Sequence, residues 1–296
     1  MNGLVLVALT ILVAGGLAML VAAALLATSR PDATLSTQVA SARRHGVLTA
    51  IASTITLLVG VPGLLVLAQA TTTGITTGLV TGCLPLIACS GAAAVLLLGE
   101  QTWPRPSGTT RVALLHDRSV RDLLGDIRAR SASAVSAFLL IALACLAVVG
   151  RPDGRSVGRA WVNGSAVSGP FPGWLYGIGQ VAALALLWAV ALLVVRAANW
   201  RATVVSADLE TDRLLRSASA GRAFRLVQTG VLATLGPDLM FAGQHLARLY
   251  PSGVAHVLFT LLTVTGTITS LAALAALLTP VPRLPAAQVP QAMHVR

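Results

Sequence analysis

Lysine is absent from this chain: all 21 basic residues are arginine, against only 10 acids. A guanidinium does not deprotonate in proteins, so every basic side chain keeps its charge at whatever depth it lies. Cysteine is scarce. Cys83, Cys89 and Cys145 all fall in apolar stretches, with no Cys-x-x-Cys and no Cys/His spacing that would hold zinc. They read as small apolar packing residues. Also missing are paired aspartate-rich clusters for Mg²⁺ chemistry, His-Glu-x-x-His, and a Gly-rich phosphate loop. His116-Asp117, with arginines on either side, reads as surface. These absences exclude nucleotide hydrolysis in this chain and argue against an enzyme; no metal or cofactor is expected.

What is present is hydrocarbon. Hydrophobic residues make up 55% of the chain and charged ones 10%, and the mean hydropathy is +0.81. Such a composition is too apolar for a soluble globule. Trp174–Val195 sets the pattern: 22 residues without a charge, Trp174 and Tyr176 at one end, Arg196, Trp200 and Arg201 at the other. At about 1.5 Å per residue it crosses a hydrocarbon layer of about 30 Å.

Six further stretches repeat the design, predicting seven spans: Gly3–Ala27, Val47–Ala68, Ile75–Gly99, Ala132–Val149, Trp174–Val195, Leu226–Leu246 and Val254–Leu278. The first has no basic region ahead of its apolar core and runs too long for a cleaved signal, so it reads as an uncleaved span. Alternate connections and the C-terminal tail hold 17 arginines; the opposite side holds four, Arg151, Arg155, Arg159 and Arg248. Under the positive-inside rule this predicts N-out, C-in threading through the plasma membrane. The net charge of +11 is then an orientation signal, and no nucleic-acid partner is expected. The expected fold is an all-α polytopic bundle in one domain, residues 1–279, followed by a flexible Pro-rich cytoplasmic tail, 280–296.

Leu226–Leu246 is the marginal span. Its Leu, Val and Phe residues each favour insertion by about 0.3–0.6 kcal/mol, while Asp238 alone costs about 2.5–3.5 kcal/mol. It inserts only if neighbouring helices cover its polar atoms; otherwise it dips in and returns, leaving six spans. Pro62-Gly63 and Pro85 predict kinks in the second and third spans. Between spans four and five, Trp161-Val-Asn-Gly-Ser predicts a small hairpin on an Asn163-Gly164 turn.

An internal repeat stands out. Residues 122–140 align without gaps to 208–226, identical at 11 of 19 positions, which predicts two parallel hairpins. Asp122 or Asp208 is placed to cap a short cytoplasmic helix. Asp126 precedes Arg130 by four residues, and Asp212 precedes Arg216 by four, the favourable order for a surface ion pair. These six residues are candidates for a cytoplasmic gate, or for a docking surface that meets a cytosolic protein partner. The stretches GEQTWPRPSGTTRVALL at 99–115 and RLLRSASAGRAFRLVQ at 213–228 resemble uncharacterised multipass membrane proteins of actinobacteria, a resemblance that implies no activity.

Asp238 is the one acid inside a span. Following Gly236-Pro237, it is placed either to cap the second half of a broken helix or to bind a proton or cation. His245 lies seven residues on, His256 opens the next span, and Gln180 lies at a comparable depth in the fifth. The four are expected to converge in the outer leaflet as a cation or proton site. Haem between His245 and His256 is disfavoured, because the pair flanks a short outer loop and is not enclosed by four packed spans. Two functions follow: a small secondary transporter or ion-coupled carrier, or a non-enzymatic scaffold that docks a cytosolic protein.

Overall fold

A computed structural model describes residues 37–103, 127–202 and 209–279. Among these residues the chain forms six helices and one hairpin: α1 (Thr37–Thr71), α2 (Ile75–Gln101), α3 (Ile127–Val149), β1 (Val157–Trp161), β2 (Gly164–Ser168), α4 (Trp174–Trp200), α5 (Leu209–Leu249) and α6 (Gly253–Leu278). Five of them, α1 from Ala40 onward, α2, α3, α4 and α6, are long and apolar enough to cross a membrane. The expected span Gly3–Ala27 and the tail 280–296 lie outside the described residues.

The sixth helix is the exception and the centre. α5 runs 41 residues without a break and packs against α2, α3, α4, α6 and both strands. Its Phe224, Val227, Val231 and Leu235 are fully buried among Leu86 of α2, Leu139 of α3 and Leu187 of α4. At the periphery the pattern inverts. α6 buries only Gly266 and Ala273 and turns Val257, Leu258, Leu261, Ile268 and Leu271 outward. A helix apolar on its outer face as well as its inner one suits lipid and is costly in water.

Contacts define two ends of the bundle. At one, Glu100 at the close of α2 meets Arg201 just after α4, and His45 Nε2 of α1 lies 2.9 Å from the Gly99 carbonyl. At the other, the β-hairpin sits on the end of α5, where Arg159 Nη1 donates to the Leu249 carbonyl at 3.1 Å and its guanidinium stacks 4.2 Å from the Tyr250 ring centroid. Ten described arginines belong to the first, the arginine end, and four to the hairpin end.

Two expectations need correction. Gly236-Pro237 does not break the helix: α5 passes through Pro237, so Asp238 caps nothing, although the proline removes the donor for the Ala233 carbonyl. The hairpin forms, but one residue earlier than its Asn-Gly step implied. Trp161 pairs with Gly164, leaving Val162-Asn163 as the two-residue turn, and neither has positive φ. The two copies of the repeat have different surroundings where both are described. Phe138 is 55% exposed while its counterpart Phe224 is fully buried, because α3 lies at the edge of the bundle and α5 at its centre.

α5 and α6 approach to backbone contact. A Cβ on Gly236 would stand 2.8 Å from the Gly266 carbonyl oxygen, and one on Gly243 would stand 2.6 Å from that of Phe259. Glycines seven apart on one face give the close seam that apolar helices use in lipid.

Candidate functional site

α4 and α5 bring two of the four predicted site residues together. Gln180 Nε2 donates to Asp238 Oδ1 at 3.1 Å and contacts the Gly82 carbonyl of α2 at 3.4 Å. Gln180 is 1% exposed and Asp238 7%. Two acceptors in this pair, Asp238 Oδ2 and Gln180 Oε1, are buried with no hydrogen-bond partner among the described residues. Neighbouring small residues shape the site. A Cβ on Gly82 would stand 3.4 Å from Gln180 Nε2, and one on Gly179 would stand 3.0 Å from Cys83 Sγ. Along the helices, Gln180 lies about 9 Å from the start of α4 and Asp238 about 16 Å from the end of α5.

The two histidines are not part of this pair. His245 lies about 10 Å further along α5 at 1.5 Å per residue, and its Nδ1 shares a 2.7 Å hydrogen bond with Ser168 Oγ of β2. His256 Nδ1 donates to the carbonyls of Tyr250 at 3.1 Å and Ala247 at 3.3 Å, satisfying acceptors left over at the end of α5. The convergence of four residues thus reduces to Asp238 and Gln180. His245 ties the hairpin down and His256 finishes a helix.

At the arginine end, the second predicted ion pair forms, but it is buried and not at the surface. Arg216 Nε donates to Asp212 Oδ2 at 2.6 Å. The same guanidinium donates to the carbonyls of Ala198 at 3.2 Å, Asn199, and Arg201 at 3.0 Å, closing the end of α4. Its counterpart Arg130 is exposed on α3. Asp122, Asp126 and Asp208 lie outside the described residues.

Sequence reasoning missed Glu100, assigned to a connection. It is 8% exposed and pairs with Arg201 at 3.0 Å. Arg201 in turn lies 3.6 Å over the Trp103 ring centroid. Burial pushes the Arg201 pKa down, and Glu100 and Asp212 pull it back up. The available signal was that the apolar run of α2 continues into Gly99-Glu100-Gln101 without a turn residue beyond the glycine. Among the described residues no group of three or more His, Cys, Asp or Glu is placed to hold a metal ion. No protein-family model, curated protein or solved structure matches this chain.

Proposed function

We propose that the chain is a small secondary carrier of the plasma membrane, coupled to protons through Asp238 and Gln180. The threading read from the arginines belongs to this proposal: seven spans, N-out and C-in, with Leu226–Leu246 of α5 crossing inside a collar of four other helices. One observation carries the reading. Asp238 Oδ2 and Gln180 Oε1 are buried acceptors with no hydrogen-bond partner among the described residues, and leaving such groups unmade costs about 1–3 kcal/mol each. A single proton on Asp238 changes this at once. The carboxylic acid gains a donor that the amide oxygen can accept, while the amide nitrogen keeps its bond to the other oxygen. A carboxyl at this depth that gains by holding a proton and is costly when charged suits proton relay. Prolines inside α1, α2 and α5 supply places where helix bonding is already interrupted. The alternative, docking of a cytosolic protein through the paired Asp/Arg sets, loses support because Asp212 and Arg216 are engaged in closing α4.

Infrared difference spectroscopy of the reconstituted protein across a pH titration tests this without knowing the substrate. A carboxylic-acid carbonyl band should rise and fall with pH, vanish in Asp238→Asn and shift in Gln180→Leu. If Asp238→Asn folds and its spectrum matches the parent at every pH, the proton site is wrong.

A further inference from the structure

We propose that the Tyr176 ring closes a route from the hairpin end of the bundle to Asp238 and Gln180, and that its movement admits the proton. The inference rests on the proton reading of that pair and adds the side from which the pair is reached. α4 starts at the hairpin end, where Trp174 Nε1 donates to the Pro152 carbonyl in the lead-in to β1 at 3.1 Å. Tyr176 therefore stands near that end, and Gln180 lies one helical turn deeper on the same face. α2 answers this spacing with glycines. A Cβ on Gly78 would stand 3.0 Å from Tyr176 Cε1 and 3.2 Å from its hydroxyl oxygen, and one on Gly82 would stand 3.4 Å from Gln180 Nε2. The phenol thus lies directly on the α2 backbone, one turn before the buried amide.

The seam leads to two buried acceptors, Gln180 Oε1 and Asp238 Oδ2, with no hydrogen-bond partner among the described residues. Other approaches are apolar. Toward the arginine end, Leu86, Leu187, Val227, Val231 and Leu235 are fully buried. Toward the hairpin along α5, Ala242 and Leu246 join Phe171 in a second buried apolar cluster. On the α2–α4 seam the barrier is one phenol lying on glycine. Tyr176 is 8% exposed, so the ring in this position keeps water from the pair. Once it swings off Gly78, neither that glycine nor Gly82 has a side chain to take its place.

The chain carries its own reporters. Cys83 Sγ lies beside the pair, 3.0 Å from where a Cβ on Gly179 would stand. Cys89 lies about 9 Å deeper along α2, packed on Gly230 of α5. The full chain in detergent, carrying Cys145→Ala, is treated with methanethiosulfonate ethylammonium, and modification of each remaining cysteine is followed by peptide mass spectrometry. If the open arrangement is a minor state of the parent, Tyr176→Ala should speed modification of Cys83 about tenfold and leave Cys89 at its parent rate. Tyr176→Phe keeps the ring and should change neither. Gly78→Val keeps the tyrosine but occupies its place on α2, and should also speed Cys83. An unchanged Cys83 rate in Tyr176→Ala overturns the route. Equal acceleration of Cys83 and Cys89 overturns it as well, because that is loosening of the whole bundle. These rates do not depend on whether Asp238 titrates. The proton is followed separately, through the Asp238 carboxylic-acid band after a pH jump, which should appear faster in Tyr176→Ala with the same final amplitude. An unchanged rate overturns Tyr176 as the point of proton entry. A parent with no such band overturns the proton reading, and the cysteine rates still decide the route.

Discussion

Arg216 is the residue whose loss should be felt most in stability. It joins a buried carboxyl to three backbone carbonyls at the end of α4, so its removal leaves Asp212 inside the protein without its hydrogen-bonded partner. Breaking such a pair from one side costs about 3–5 kcal/mol. Arg216→Ala should therefore lower the thermal midpoint in detergent far more than Arg130→Ala, although the aligned repeat gives the two arginines the same neighbours in sequence. Their spacing from Asp212 and Asp126 revealed an ion pair but not its burial, because spacing on one helix says nothing about what the helix packs against. The Asp238–Gln180 pair was legible as two polar groups at similar depth in apolar stretches. The histidines were not separable from it, since seven residues along a helix restores the face while shifting the side chain by about 10 Å. Their partners, Ser168 and the carbonyls of Ala247 and Tyr250, come from tertiary contacts or from a helix end.

At the scale of elements, two contacts are open to test. The seam between α5 and α6 leaves no room for a side chain at Gly236, so Gly236→Val must push the helices apart. Overpacking of this kind costs about 1–3 kcal/mol; the expected result is a lower melting midpoint, with Gly60→Val, which meets nothing nearby, as the silent control. The hairpin's lead-in depends on Asp153, which accepts from Ser156 Oγ at 2.6 Å and from the backbone N–H groups of Arg155 and Ser156. The bond from the Ser156 hydroxyl is the largest cause holding its carboxyl below the ordinary value. Because the folded value is depressed, its contribution is complete above the ordinary carboxylate range and is lost as pH falls through the lowered one. Protection of the Ser156 amide, taken relative to its intrinsic exchange rate at each pH, should fall as the pH drops through that window, and in Asp153→Asn this pH-dependent step should disappear. The hairpin itself was readable from its turn residues, but the register was not. Pairing of Trp161 with Gly164 places the turn on Val162-Asn163.

For the whole molecule, the apolar stretches made the helices legible and their mutual arrangement invisible. Composition ranks α5 as the poorest candidate for a lipid environment, and the structure puts it in the middle, where α2, α3, α4 and α6 cover its polar atoms. Periodicity reports which helix has an apolar face; it does not say which helix the others surround. The central claim is that α5 carries Asp238 through the membrane, so that its two ends lie on opposite sides. Alkaline phosphatase fused after Ser168, after Tyr250 and after Ala202, each in the full upstream chain, measures this directly. Fusions at Ser168 and Tyr250 should both be active outside the cell and the one at Ala202 inactive. A cytoplasmic Tyr250, on the same side as Ala202, would contradict the account and take the buried carboxyl site with it.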